Sequence, residues 1–156
     1  MDGQNPTLPE ALHFLKDIYQ NHMPFDKLLG IKIETLGEND VCVRIDMREE
    51  LIGNFVKGIL HGGVISSVLD LTGGLIASVA VLQRMKGASA EEMGKRLASI
   101  GTIDLRVDYL RAGQGKFFRA TGNILRAGKR VAVIRTELHN DQNLLIAAGT
   151  GTYLTG

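Results

Sequence analysis

From His61 the chain reads His61-Gly62-Gly63-Val64-Ile65-Ser66-Ser67-Val68-Leu69-Asp70-Leu71-Thr72-Gly73-Gly74-Leu75-Ile76-Ala77-Ser78-Val79-Ala80-Val81-Leu82, a run that is almost wholly apolar or small. It predicts one helix over 62–82. A helix that is hydrophobic on all sides has to be covered on all sides. Its length would span a bilayer, but Asp70 stands near its middle, where a charge costs about 3 kcal/mol in lipid. Ser66, Ser67, Thr72, Gly73, Gly74 and Ser78 dilute it further. The expected setting is the centre of a globular domain, with no membrane insertion.

The flanks supply the cover. Upstream, Gly53-Asn54-Phe55-Val56-Lys57-Gly58-Ile59-Leu60-His61-Gly62-Gly63 reads as a glycine-punctuated loop. Before it, 31–36 and 41–46 read as strands joined by Gly37-Glu38-Asn39-Asp40, a composition that favours a tight turn. Near the start, Thr7-Leu8-Pro9-Glu10 fits a capping box. Leu8, Leu12, Leu15 and Tyr19 then recur at helical spacing, giving an N-terminal helix within 1–25 that stops near Pro24. Downstream, 86–99 is polar and helix-tolerant, an insertion or a second short helix. The stretch 102–109 alternates polar and apolar, as a half-buried antiparallel strand does. Strands over 116–126 and 130–139 are joined by Ala127-Gly128-Lys129, and 144–154 closes the chain. One curved antiparallel sheet wrapped around a central helix satisfies this order. The fold class is α+β, one domain over 1–156, and the uncovered remainder of the helix invites a second copy.

Composition narrows the function. A chain of 156 residues fits one domain with its own core. Its formal net charge of +1 argues against a general nucleic-acid binder, which needs a basic excess. The single Cys42 excludes a disulfide framework and a thiolate zinc site, and reads as a buried small hydrophobe. His13, His22 and His139 have no metal-ligand spacing, so no metal is expected. Ser66 and Ser67 lack the Gly-x-Ser-x-Gly elbow of serine hydrolases. Gly149-Thr150-Gly151 has no third glycine or phosphate-loop lysine, and reads as the last strand. Met1-Asp2-Gly3-Gln4-Asn5-Pro6 is polar, with no basic start and apolar run, so a cytoplasmic location is expected.

Asp70 is the residue to explain. A carboxylate inside an apolar helix loses hydration. It is a structural ion pair, an edge position touching water, or a catalytic group, since perturbed ionisable groups cluster at functional sites. His61-Gly62-Gly63 opens the helix, where unpaired backbone N–H groups point outward and can hold an oxyanion. Gly62 and Asp70 are eight residues apart, about 12 Å along a helix. That is too far for both to touch one carbonyl from the same chain, so any such site is shared across a twofold dimer. Gly73 and Gly74 each cost about 1 kcal/mol relative to alanine. They point to close packing, against a second helix or in the core, or to room for a ligand.

Gly53-Asn54, the run from Gly58 to Asp70, and Gly101-Thr102-Ile103-Asp104-Leu105-Arg106-Val107-Asp108-Tyr109-Leu110-Arg111 together resemble the hotdog-fold acyl-CoA thioesterases of the PaaI-like group. Within that group they are most similar to the bacterial YigI-type branch, associated with medium- and long-chain acyl-CoA. The likeness extends to His22-Met23-Pro24-Phe25 and to the ending Gly149-Thr150-Gly151-Thr152-Tyr153.

The resemblance implies a hotdog thioesterase that hydrolyses acyl-CoA to free acid and CoA, as a homodimer or homotetramer in fatty acid metabolism. Asp70 would be nucleophile or general base, Gly62 N–H the oxyanion donor, and His61 a shaper of the loop. Thr102 would orient water. Asn54 resembles the amide that helps hold the carbonyl, although the family's spacing places Phe55 there. Gly63, Tyr109, Leu110 and Arg111, with Arg126, Gly128, Lys129 and Arg130, would bind the substrate, the last seven holding its CoA nucleotide. No cofactor is implied, since CoA is part of the substrate. Two other readings stay open: a hotdog hydratase or dehydratase using His61 and Asp70 as acid–base pair, and a non-catalytic acyl-CoA-binding module.

Overall fold

The computed structural model describes residues 5–156; residues 1–4 of the expected N-terminal segment lie outside the described residues. Helix α1 (Leu8–Asp17) opens on the expected capping box, with the Glu10 carboxylate accepting from the Thr7 N–H at 2.7 Å. It buries Ala11, Leu12 and Leu15. The helix does not run on to residue 25. A π-helical turn (Ile18–His22) follows, and then a second helix, α2 (Pro24–Leu29), which the sequence reading missed. Proline lacks an N–H and biases the residue before it towards extended backbone. Met23 accordingly sits at φ −82°, ψ 112°, and Pro24 takes the first helical position, where no N–H is required. The residue that ends one helix therefore starts the next.

Strands β1 (Lys32–Leu36) and β2 (Val41–Asp46) form the expected hairpin. The stretch read as a loop instead contains a small hairpin, β3 (Ile52–Asn54) with β4 (Ile59–Leu60). Gly53 permits it: a Cβ there would lie 2.6 Å from His61 Cα, so only glycine lets β3 press against the residue that begins the central helix. That helix, α3 (Gly62–Arg84), is long and apolar enough to cross a membrane by composition, but 67% of its apolar window is buried inside the chain. Helix α4 (Ala90–Ala98) follows, capped by Ser89 and Glu92 and anchored by buried Met93.

Strands β5 (Gly101–Tyr109), β6 (Phe117–Ala127), β7 (Val131–Asn140) and β8 (Leu145–Leu154) complete one six-stranded sheet in the order β1-β2-β6-β7-β8-β5, each neighbour antiparallel. On β2 and β7 alternate residues are buried. Val43, Ile45, Ile134 and Leu138 meet Leu69, Leu75 and Leu82 of α3 in one core, each such side chain contributing about 1.5–3 kcal/mol. This is the hotdog arrangement. Two sequence expectations need correction. β5 is an edge strand whose outer edge pairs with nothing among the described residues, and it is mostly exposed, Ile103 to 57%. Cys42 is only half-buried, its Sγ turned towards Glu34 at 3.7 Å.

Candidate active site

The start of α3 leaves one N–H without an acceptor. A helix has four N–H groups in its first turn that lack intrahelical partners. Here Val64 and Ile65 donate to the His61 carbonyl at 3.0 and 3.1 Å, and Gly63 donates to His61 Nδ1 at 2.8 Å. The Gly62 N–H alone has no acceptor among the described residues. His61 is thus the N-cap, and its ring acceptor is committed to the helix rather than to a substrate. From β5, Tyr109 donates its hydroxyl hydrogen to the Gly62 carbonyl at 3.0 Å and holds that residue in place.

Asp70 lies two turns further along α3. Its Oδ1 accepts from Thr102 Oγ1 of β5 at 2.9 Å, and its main-chain carbonyl accepts from the Tyr153 hydroxyl at 3.0 Å. Asp70, Thr102 and Ser67 line a cleft of about 250 Å³, together with Tyr153, Tyr19 and Asp26. Burial, and then the negative charge of Asp70, push the Tyr153 phenol well above its usual range, so it remains a neutral donor. Burial likewise pushes Asp26 up to about 6.

The remaining candidates separate into two groups. Gly63 sits beside the His61 ring, and Tyr109, Leu110 and Arg111 cluster at one end of β5. The Leu110 N–H donates to the Ile146 carbonyl and Arg111 Nη1 to the Leu145 carbonyl, each at 2.9 Å. Arg126, Lys129 and Arg130 are exposed at the β6–β7 turn, where Gly128 donates to the Val131 carbonyl and accepts from Arg84. Sheet register puts that turn at the other end. Tyr109 pairs with Ala147, which pairs with Leu138, while Thr102 pairs with Tyr153, which pairs with Ala132 and so Ala127. Six residues of β8 separate the two rows, about 20 Å, the seventh residue on β5 being taken up by the bulge at Ile103. Asn54 does not line the Asp70 cleft, and its Oδ1 accepts from the Val56 and Lys57 N–H groups at 3.1 and 3.2 Å within the β3–β4 turn.

The family model of the thioesterase superfamily matches residues 57–147. The chain belongs to the thioesterase superfamily. The match contains His61, Gly62, Asp70 and Thr102, whereas Asp26 and Tyr153 fall outside it. The medium/long-chain acyl-CoA thioesterase YigI of Escherichia coli is 43% identical over 150 residues, 96% of this chain and 97% of that one. The protein of the same name from Salmonella typhimurium matches at the same identity and coverage. A crystal structure from Shewanella oneidensis, described as related to the thioesterase superfamily, superposes with a TM-score of 0.94 at 47% identity, covering 97% of this chain and 99% of that one.

Sequence reasoning missed Tyr153, Tyr19 and Asp26. For Tyr153 a signal existed: a lone aromatic in a glycine-rich strand, with Gly73 and Gly74 elsewhere and nothing yet assigned to fill the space they leave. Nothing in the sequence marked Asp26 as buried.

Proposed function

We propose that this chain hydrolyses acyl-CoA thioesters, with medium- and long-chain acyl groups as substrates, releasing free acid and CoA. The observation that carries this reading is the Asp70 carboxylate, set in a cleft by the Thr102 hydroxyl, on the helix whose first N–H is free. A thioester carbonyl is already electrophilic and its thiolate leaves readily. One carboxylate to take a proton from water and one dipole to hold the oxyanion suffice, with no cofactor. Asp70 is the base in this scheme, Gly62 N–H the oxyanion donor, and Thr102 fixes the Asp70 rotamer. His61 organises the helix start, its Nδ1 accepting from the Gly63 N–H.

The same reading makes the protein at least a twofold dimer joined through β5. That strand has an edge unpaired among the described residues, exposed apolar residues Ile103 and Tyr109, and site residues tied to both ends. Antiparallel pairing of β5 with a second copy about Arg106 sets Thr102 beside Tyr109 of that copy, the bulge at Ile103 taking up the odd residue between them. Asp70 of one subunit then faces Gly62 of the other. The turn carrying Arg126, Gly128, Lys129 and Arg130 reaches the end of the joint sheet where Tyr109, Leu110 and Arg111 of the other copy stand, and the two sets together bracket a CoA nucleotide. Pairing of such dimers would give the tetramer. A cytoplasmic setting in fatty acid metabolism belongs to this proposal, and the free Cys42 thiol is compatible with a reducing compartment.

The test is thiol release from short, aromatic, medium and long acyl-CoAs. Release from the medium and long members is expected. Thermal stabilisation by acyl-CoA without release from any member would make the protein a binding module instead.

A further inference from the structure

Of the two adjacent glycines in α3, packing accounts for only one. The ring of Tyr153 fills the space that a side chain on Gly73 would take. At Gly74 an added Cβ would meet only Tyr19 Oη at 3.7 Å and Tyr153 Cε1 at 3.8 Å, both ordinary van der Waals contacts. Alanine therefore fits at position 74, and it is the better helix former. A residue that weakens its own helix without a packing reason is expected at a functional site.

The position of Gly74 points to that function. Ser67, Asp70, Leu71 and Gly74 recur at three- and four-residue intervals, so they share one face of α3. All four line the cleft. Gly74 ends this accessible face, since residues 75–82 are all buried. One helical turn separates it from Asp70, about 6 Å along the axis. Met23, Phe25 and Ile100 add apolar walls. In the twofold pairing proposed above, Asp70 faces the partner subunit's Gly62, where that helix starts. The two helices run antiparallel there, so Gly74 lies one turn past the partner helix, and helix–helix packing does not account for it.

We infer that Gly74 is a specificity-determining residue: its bare backbone leaves room, one turn from Asp70, for the first carbons of the acyl chain. This rests on the thioesterase reading above and adds to it the direction the chain takes. Two directions lead from Asp70 along the open face of α3. The one towards the helix start passes Ser67, whose hydroxyl donates to the Gly63 carbonyl at 2.7 Å. The other passes Leu71 and ends at Gly74 among the apolar walls. The apolar direction suits an alkyl chain, which gains by leaving water. A methyl group at position 74 would stand in its path. Glycine here gives up helix stability in exchange for that room.

Gly74→Ala tests this in the full-length protein. Melting temperature, oligomeric state and thiol release from propionyl-CoA and dodecanoyl-CoA are measured together with binding of the matching non-hydrolysable thioether analogues. The variant is expected to melt about 2–4 °C above wild type and to assemble as wild type does. Its dodecanoyl-to-propionyl ratio of kcat/KM is expected to fall about tenfold, the discrimination that one methyl group gives in an apolar pocket. An unchanged ratio, whether activity falls on both substrates or on neither, overturns the inference. A melting temperature below wild type, or loss of assembly, would make Gly74 a packing glycine and overturn it too. Failure of the wild type to release thiol from any acyl-CoA overturns the thioesterase reading instead, and the analogues then decide. A dodecyl analogue weakened about tenfold relative to the propyl one keeps the assignment of Gly74, and an equal effect on both overturns it.

Discussion

The Tyr153 hydroxyl donates to the main-chain carbonyl of Asp70 at 3.0 Å, and its ring occupies the space left by the missing side chain of Gly73. The last strand therefore supports the helix at the residue that carries the chemistry. An alanine Cβ at position 73 would stand 2.1 Å from the Tyr153 hydroxyl oxygen and 2.6 Å from its ring. Gly73→Ala is expected to destabilise the protein by about 1–3 kcal/mol and to lower kcat as Asp70 shifts. Tyr153→Phe keeps the ring and loses only the hydrogen bond, about 1 kcal/mol. Thermal denaturation of the two variants checks the order; a Gly73→Ala protein as stable as wild type would contradict it.

Thr102 touches Asp70 through one hydroxyl on an exposed strand. Thr102→Val removes the hydrogen bond with little change of volume. The expected result is a kcat lower by about tenfold, as befits a hydrogen bond to a charged group, with melting temperature nearly unchanged. Equal kcat in the two proteins would remove Thr102 from the site.

Asp26 also predicts a pH signature in stability. Its folded pKa, about 6, lies above the value of about 3.9 for an unfolded aspartate. Between these values the folded state holds a proton that the unfolded state has lost, so stability falls as pH rises. Asp26→Asn cannot ionise. Its melting temperature should match wild type below about pH 4, exceed it increasingly up to pH 6, and keep a constant lead above that. A lead that does not vary with pH would contradict the burial of this carboxylate.

Sharing of the site across a twofold is tested by mixing two inactive chains. Gly62 is the first residue of α3, a position where proline is tolerated, and His61 at φ −63°, ψ 135° already has the extended backbone that a following proline demands. Gly62→Pro thus deletes the free N–H while keeping the helix. Coexpression of Gly62→Pro with Asp70→Asn should restore about a quarter of wild-type activity, from the heterodimers that retain one intact site. No restoration in a confirmed heterodimer would place both groups in one chain's site.

Much of this was legible in the sequence because the deciding features are local or periodic. The capping box at Thr7, the β1–β2 turn and the all-round apolar character of α3 each depend on neighbours within one turn or one hairpin. The Asp70–Thr102 contact joins two segments that the family likeness had already singled out. Features that depend on tertiary packing were not legible. Whether Pro24 merely ends a helix or begins another is settled by what α2 packs on. The fit of Tyr153 against Gly73 links residues eighty positions apart. The exposure of β5 depends on its place at the sheet edge, and the separation of Tyr109 from the 126–130 turn on strand register.

The most direct measurement is thiol release from a medium-chain acyl-CoA by Asp70→Asn beside wild type, with thioether-analogue binding and oligomeric state followed in the same preparations. A base that takes a proton from water in the transition state contributes on the order of 10²–10⁴ in rate. The variant is expected to lose turnover by that factor while it binds the analogue and assembles as wild type does. Turnover within a few-fold of wild type in a folded Asp70→Asn protein would contradict the role of Asp70 and the mechanism built on it.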